Sequence, residues 1–199
     1  MRALVFVLLA GCAPRYGSDL EAQLEREVIA LGQTVRRLEA EATSCDETAP
    51  PDRLFAELTQ VFAGTEVAVT RVGRTTRLRI PTALLFRSSG SRKVRDEAAM
   101  TVDLLGMALS VNSEHRIRIV GHTSDRSLPA GDRPFSSNLD LSLFEAATFA
   151  ELLIAGSDVD PARLEVAGRG AWEPLASNDL PSGQDQNRRI EVFITPPEG

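Results

Sequence analysis

The chain has 199 residues, 43% hydrophobic and 25% charged, a composition ordinary for one soluble domain with accessory segments. Its formal net charge is −6, with acids and bases interspersed; without a basic stripe or a basic patch rich in aromatics, nucleic acid is excluded as a partner. Aromatics are only 5%, which argues against a sugar-stacking surface, and two cysteines cannot make a disulfide framework.

The N-terminus opens with Met1-Arg2 and an apolar run, Ala3 to Leu9, followed by Leu9-Ala10-Gly11-Cys12. A membrane span needs about 20 apolar residues, so the run is too short to cross a bilayer and fits the apolar part of an export signal. The Leu-Ala-Gly-Cys order resembles the bacterial lipobox. Small residues let a peptidase approach, and the Cys12 thiol is a good nucleophile for lipid transfer. The expected mature protein therefore starts at an acylated Cys12, with residues 1–11 removed. Ala13, in place of Asp, implies sorting to the outer membrane with the rest facing the periplasm.

Between Asp19 and Ala42 there is no proline. Leu24, Leu31 and Leu38 are spaced by seven, with Val28, Val35 and Ala42 four residues after each. That is an a/d seam, and it predicts a coiled-coil stalk within residues 12–45 and a homo-oligomer formed through it. The same register puts Cys45 at a d position, where an interchain disulfide is expected in an oxidising compartment. The competing reading is a lone amphipathic helix with Cys45 a free thiol. Residues 46–51 end in Pro50-Pro51 and read as a linker.

From Asp52 to the C-terminus, helix and strand patterns alternate. Leu54, Leu58, Val61 and Phe62 mark a short helix. Glu66–Arg71 and Arg74–Ile80 flank Gly73 as a hairpin. Val94 to Leu109 has helical period, and Ile117 and Ile119 open a strand that runs into Gly121-His122-Thr123. A long helix is predicted from about Ser142 to Ala155. Leu164 and Val166 mark a strand, and Ile190, Val192 and Ile194 another, after a short helical turn over Gln184–Asn187. The pattern predicts an α+β fold, a mixed sheet with helices packed on one face.

A set of motifs in register carries a family resemblance. They are Leu85-Phe86-x-Ser88-x-Gly90-Ser91, Gly121-His122-Thr123, Ser137-Asn138-x-x-Leu141-Ser142, Asp160-Pro161-x-Arg163-Leu164, Gly168-x-Gly170 and Asn187-Arg188-Arg189-Ile190-Glu191. Together they resemble the OmpA/MotB C-terminal domain, and the Ser137-Asn138 stretch is closer to the MotB branch. Two histidines and two separated cysteines give no metal cluster, and neither catalysis nor a cofactor is expected. The resemblance implies a βαβαβ-type fold. It also implies a peptidoglycan stem peptide as partner, held at its diaminopimelate residue.

The end of that ligand is a zwitterion, so the site needs an acid and a base to pair each charge as it leaves water. By resemblance, Thr123, Ser124, Asp125, Asn138, Leu141, Glu145, Arg188 and Arg189 surround it. Relatives carry the acid directly after Gly-His-Thr, where this chain has Ser124. They carry the base three residues after the Leu-Ser serine, where it has Glu145. Asp125 is the nearest substitute acid; Arg126, Arg133, Arg188 and Arg189 are the candidate cations. Strand alternation puts Arg188 and Arg189 on opposite sides of the sheet, so one of them is expected in the groove.

Ser142-x-x-Glu145 also matches a helix capping box, which gives Glu145 a structural role. His122 at a strand end reads as a structural hydrogen-bonding residue. His122, Ser124 and Asp125 sit too close on one loop to form a nucleophile, base and orienter, and no nucleophile elbow is present. Two readings follow: a non-catalytic lipoprotein tethering the outer membrane to peptidoglycan, with degenerate anchors, or an assembly module that no longer binds the wall.

Overall fold

The computed structural model describes residues 53–90, 93–126, 128 and 135–197, together with the isolated helical positions Glu27, Ala30, Gln33 and Thr34. The chain divides into two units, Met1–Thr48 and Ala49–Gly199. Cys12, the stalk seam, Cys45 and the linker lie outside the described residues.

The elements of the second unit run α1 (Arg53–Val61), β1 (Ala68–Val72), β2 (Thr75–Pro81), α2 (Thr82–Leu85), α3 (Asp96–Val111), β3 (Arg116–His122), α4 (Asn138–Gly156), a 3-10 turn (Pro161–Arg163), β4 (Leu164–Gly168), α5 (Pro181–Asn187) and β5 (Arg189–Thr195). The five strands form one mixed sheet in the order β1-β2-β5-β3-β4. All neighbouring pairs are antiparallel except β3 and β4, which are parallel and joined through α4. That long crossover is what a parallel pair requires. The hairpin turns at Gly73, whose φ of +58° an L side chain rarely adopts.

Alternation along the strands sorts the two faces. Leu78 and Ile80 of β2, Ile117 and Ile119 of β3, and Ile190, Val192 and Ile194 of β5 are buried together with Leu105 and Leu109 of α3 and Phe149 and Leu153 of α4. Each such side chain contributes roughly 1.5–3 kcal/mol by leaving water. The helices cover this face. The opposite face carries Arg77, Arg79, Arg116, Arg118 and Phe193.

The sheet and α4 touch almost backbone to backbone. A Cβ on Gly121 would lie 1.9 Å from the Ser142 carbonyl oxygen, and one on Gly168 would lie 2.7 Å from Ser142 Oγ. Ser142 uses the proximity: its hydroxyl donates to the Leu139 carbonyl at 2.8 Å and accepts from the Gly170 N–H at 2.9 Å. Arg163 closes the far end of α3, donating to the carbonyls of Leu109 at 3.0 Å, Asn112 at 2.7 Å and His115 at 2.8 Å. A cation on the carbonyl end of a helix is favoured by its dipole.

One expectation about α4 is corrected. The helix starts at Asn138, not Ser142, and its N-cap is Ser137, whose hydroxyl accepts from the Asp140 N–H at 3.1 Å. Ser142 therefore lies inside the helix and Glu145 belongs to no capping box. The motif has the right letters one turn too late.

Candidate functional site

Three segments meet at the C-terminal end of β3. Ser124 follows the strand, Glu145 projects from the second turn of α4, and Arg188 caps α5 just before β5 begins. A fourth, the loop after α2, supplies Ser89 and Gly90.

Glu145 is 1% exposed. One carboxylate oxygen accepts from the Gly90 N–H at 2.9 Å and from the Ser89 hydroxyl at 3.0 Å. Burial pushes the carboxyl above its ordinary pKa, while these two donors and the nearby Arg188 charge oppose that rise. The loop can present its amide because residue 90 is glycine. Its φ is +69°, and a Cβ there would lie 2.2 Å from the ring of Phe135, which is buried and tilted against Phe144 at 5.9 Å between ring centres.

Arg188 bridges the other side. Its guanidinium donates to Ser124 Oγ at 3.2 Å and pairs with Asp185 one turn earlier in α5. Ser124 is 3% exposed, so this contact is made largely out of water. Beside Arg188 lies a cleft of about 450 Å³ bordered by Glu66, Arg87, Ser89, Arg95 and Asp185. It holds both signs of charge. Arg87 and Asp185 are the parts that sequence reading missed; Asp185 stands one helical turn before Arg188, and the fold brings Arg87 to the same cleft.

The remaining expected residues separate. Thr123 is buried; its N–H donates to the Gly170 carbonyl at 2.9 Å, and its hydroxyl has no hydrogen-bond partner. Leu141 is buried beneath the Gly90 loop. Asp125 is exposed at the rim, its N–H on Asn178 Oδ1 at 3.4 Å, and Asn138 donates to the Arg126 carbonyl at 3.5 Å. Arg133 lies outside the described residues.

Arg189 is not in the groove. It starts β5 on the helix-free face, 4% exposed, donating to Glu191 at 2.8 Å, the Asn187 carbonyl at 3.2 Å and the Glu173 carbonyl at 3.2 Å. The expectation that Arg188 and Arg189 diverge is met, although Arg188 is the helix cap and not a strand residue.

Asn187, fully buried, holds the two arginines apart. Its Oδ1 accepts from the N–H groups of Leu175 at 2.7 Å and Ala176 at 3.0 Å, and its Nδ2 donates to the Ala176 carbonyl and Asn178 Oδ1, both at 2.8 Å.

His122 corrects a second expectation. It is 1% exposed and, among the described residues, neither ring nitrogen has a hydrogen-bond partner; a Glu191 carboxylate oxygen lies 3.9 Å from Nε2. Burial first, then repulsion from Arg189, lowers its pKa to about 4. At neutral pH it is an uncharged packing residue.

Residues 86–188 match the OmpA family model. The chain belongs to the OmpA family. It is 31% identical over 141 residues to "Probable lipoprotein YiaD" of Escherichia coli, covering 71% of this chain and 61% of that one. It is 34% identical over 112 residues to "Motility protein B" of Bacillus subtilis, covering 56% of this chain and 42% of that one. The chain thus spans less than two thirds of either relative's length. A putative MotB-like protein from Desulfovibrio vulgaris has the same fold, with a TM-score of 0.66 at 22% identity over 80% of this chain and 99% of that one. The cell wall anchor of the type VI secretion system (T6SS) from Pseudomonas aeruginosa aligns with a TM-score of 0.64 at 29% identity, covering 74% and 100%. The OmpA domain is a non-catalytic, peptidoglycan-associating module of cell-envelope proteins.

Proposed function

We propose that this protein is a non-catalytic outer-membrane lipoprotein, acylated at Cys12, that holds its OmpA domain against the cell wall with degenerate diaminopimelate anchors. Residues 12–45 form the oligomeric stalk and residues 52–199 the wall-facing domain. A helical stalk of about 25 residues reaches roughly 37 Å. Two weak attachments in one chain then reinforce each other through effective concentration.

The observation that carries the reading of the anchors is the inward-turned Glu145. Its carboxylate already receives the Gly90 amide and the Ser89 hydroxyl. A ligand carboxylate meets an acid there instead of a base, and Ser124 brings no charge to a ligand ammonium. Arg188 supplies the cation of the groove from a different element.

The test is sedimentation of the full chain with insoluble sacculi. The native protein is expected to pellet weakly and to ignore free diaminopimelate. Ser124→Asp with Glu145→Arg is expected to pellet more strongly and to be competed off, with a thermal melt confirming that the variant folds. Tight capture of the native protein that free diaminopimelate competes away overturns the assignment of the groove. The second reading, an assembly module docking on an envelope complex, is favoured by the same internal satisfaction of Glu145. It predicts no pelleting at all by an intact native fold.

A further inference from the structure

The helix-free face of the sheet has a charge opposite to that of the chain. Register places Arg77 of β2, Phe193 of β5 and Arg118 of β3 in one row across the sheet, with Glu165 of β4 at its end. One row along, Arg79 and Glu191 are neighbours; one row the other way, Thr75, Thr195 and Arg116 are. All these side chains leave the same face by strand alternation.

Counting Arg189, the face carries five arginines against Glu165 and Glu191, on a chain whose net charge is −6. Arg118 pairs with Glu165 at 3.2 Å and Arg189 with Glu191 at 2.8 Å. Among the described residues, Arg77, Arg79 and Arg116 pair with no carboxylate. Arg79 Nε is buried without a hydrogen-bond partner, and Arg77 donates only to Thr70 Oγ1 at 3.2 Å. Arg116 is exposed.

We infer that this face is a docking surface for a bilayer carrying anionic phospholipid headgroups. Neighbours two residues apart on one strand stand about 7 Å apart, and residues across two strands about 10 Å. The guanidiniums of Arg77, Arg116 and Arg118 stand around Phe193, and Arg116, Arg118, Glu165 and Phe193 border a cleft of about 410 Å³ on this face that is open to a phosphate headgroup. Guanidinium is the side chain best suited to phosphate, which it grips through two parallel N–H donors. Phe193 is half-buried at the centre, an apolar contact among the headgroups. The surface lies on the reverse of the sheet from α4, so its use leaves Glu145 untouched.

The test uses the full chain carrying Cys12→Ser, so that no acyl chain contributes. Co-sedimentation is measured with phosphatidylcholine vesicles, with and without about one third phosphatidylglycerol. Binding is expected only with phosphatidylglycerol and falls steeply as salt shortens the screening length. Each arginine near an anionic surface is worth about fivefold. Arg116→Gln, which removes no internal contact, should weaken binding about fivefold, and Arg77→Gln with Arg116→Gln about 25-fold. Arg53→Gln on α1 should leave it unchanged. Equal binding to both vesicles, or full binding by the double variant, overturns the inference. So does a double variant that keeps vesicle binding but loses sacculus pelleting, which would assign the face to an anionic wall polymer.

Discussion

Glu145 and Glu191 are both almost fully buried, and the sheet separates them. Glu191 has a guanidinium at 2.8 Å, and Arg189 in turn spends its other donors on two backbone carbonyls. Among the described residues Glu145 has no counter-ion at contact distance, only a glycine amide and a serine hydroxyl. A buried charge paired within its own strand is a structural element whose partners were chosen together. A buried charge held by neutral donors alone keeps more of its desolvation cost. Desolvation is the same problem in both places, and the difference in solution separates framework from groove.

The largest expected effect tests the paired side. Arg189→Met leaves Glu191 buried and alone, and should cost about 3–5 kcal/mol in a denaturant melt. Adding Glu191→Leu should recover most of that loss, because a buried pair replaced whole by apolar groups is near neutral. If the double variant is as unstable as the single, Glu191 is not the reason Arg189 matters and the contrast fails.

Next comes His122, packed against that pair. It stays neutral in the fold down to about pH 4. The unfolded chain takes up its proton near pH 6.5, so the stability tied to His122 is complete above 6.5 and drains away as pH falls toward 4. Roughly 3 kcal/mol is at stake over that interval. Stability measured from pH 7 to pH 4 should fall in the native protein, and His122→Leu should flatten the slope.

Glu145 should behave oppositely. With its folded pKa raised, the ionised carboxyl costs stability at neutral pH, and that cost fades as pH falls through the raised value. Glu145→Gln keeps an oxygen for Gly90 and Ser89 and is expected to gain about 1 kcal/mol at pH 7–8, with the gain vanishing in acid. A loss of stability at pH 7 would show that the charge itself supports the fold, and the contrast with Glu191 would close. The smallest effect, about 0.5–1.5 kcal/mol, is expected for Ser89→Ala, and Glu145→Gln should reduce it in a double-mutant cycle.

Reading the residues in order recovers the elements because their signals are local. Leu54 and Leu58 one turn apart, the Gly73 turn, and the alternating isoleucines of β3 and β5 each state a geometry within a few residues. The family motifs add the order of the sheet. The groove is harder, since its contacts join residues far apart in the chain. Glu145 meets Ser89 and Gly90 across 55 or more positions, and Arg188 meets Ser124 across 64. The local pattern Ser142-x-x-Glu145 even points the wrong way, toward a cap, because Ser137 takes that role one turn earlier. His122 misleads for a related reason. Its place at a strand end suggests a hydrogen bond, yet the neighbouring arginine and glutamate satisfy each other and leave the imidazole only packing.

The near-contact of Gly121 and Gly168 with Ser142 limits how the groove can change. Ser124 lies three residues beyond one glycine and Glu145 three beyond the serine, so the close seam constrains how far these two positions can move apart. A change of specificity at this place comes most directly from exchanging the side chains at 124 and 145 on that frame.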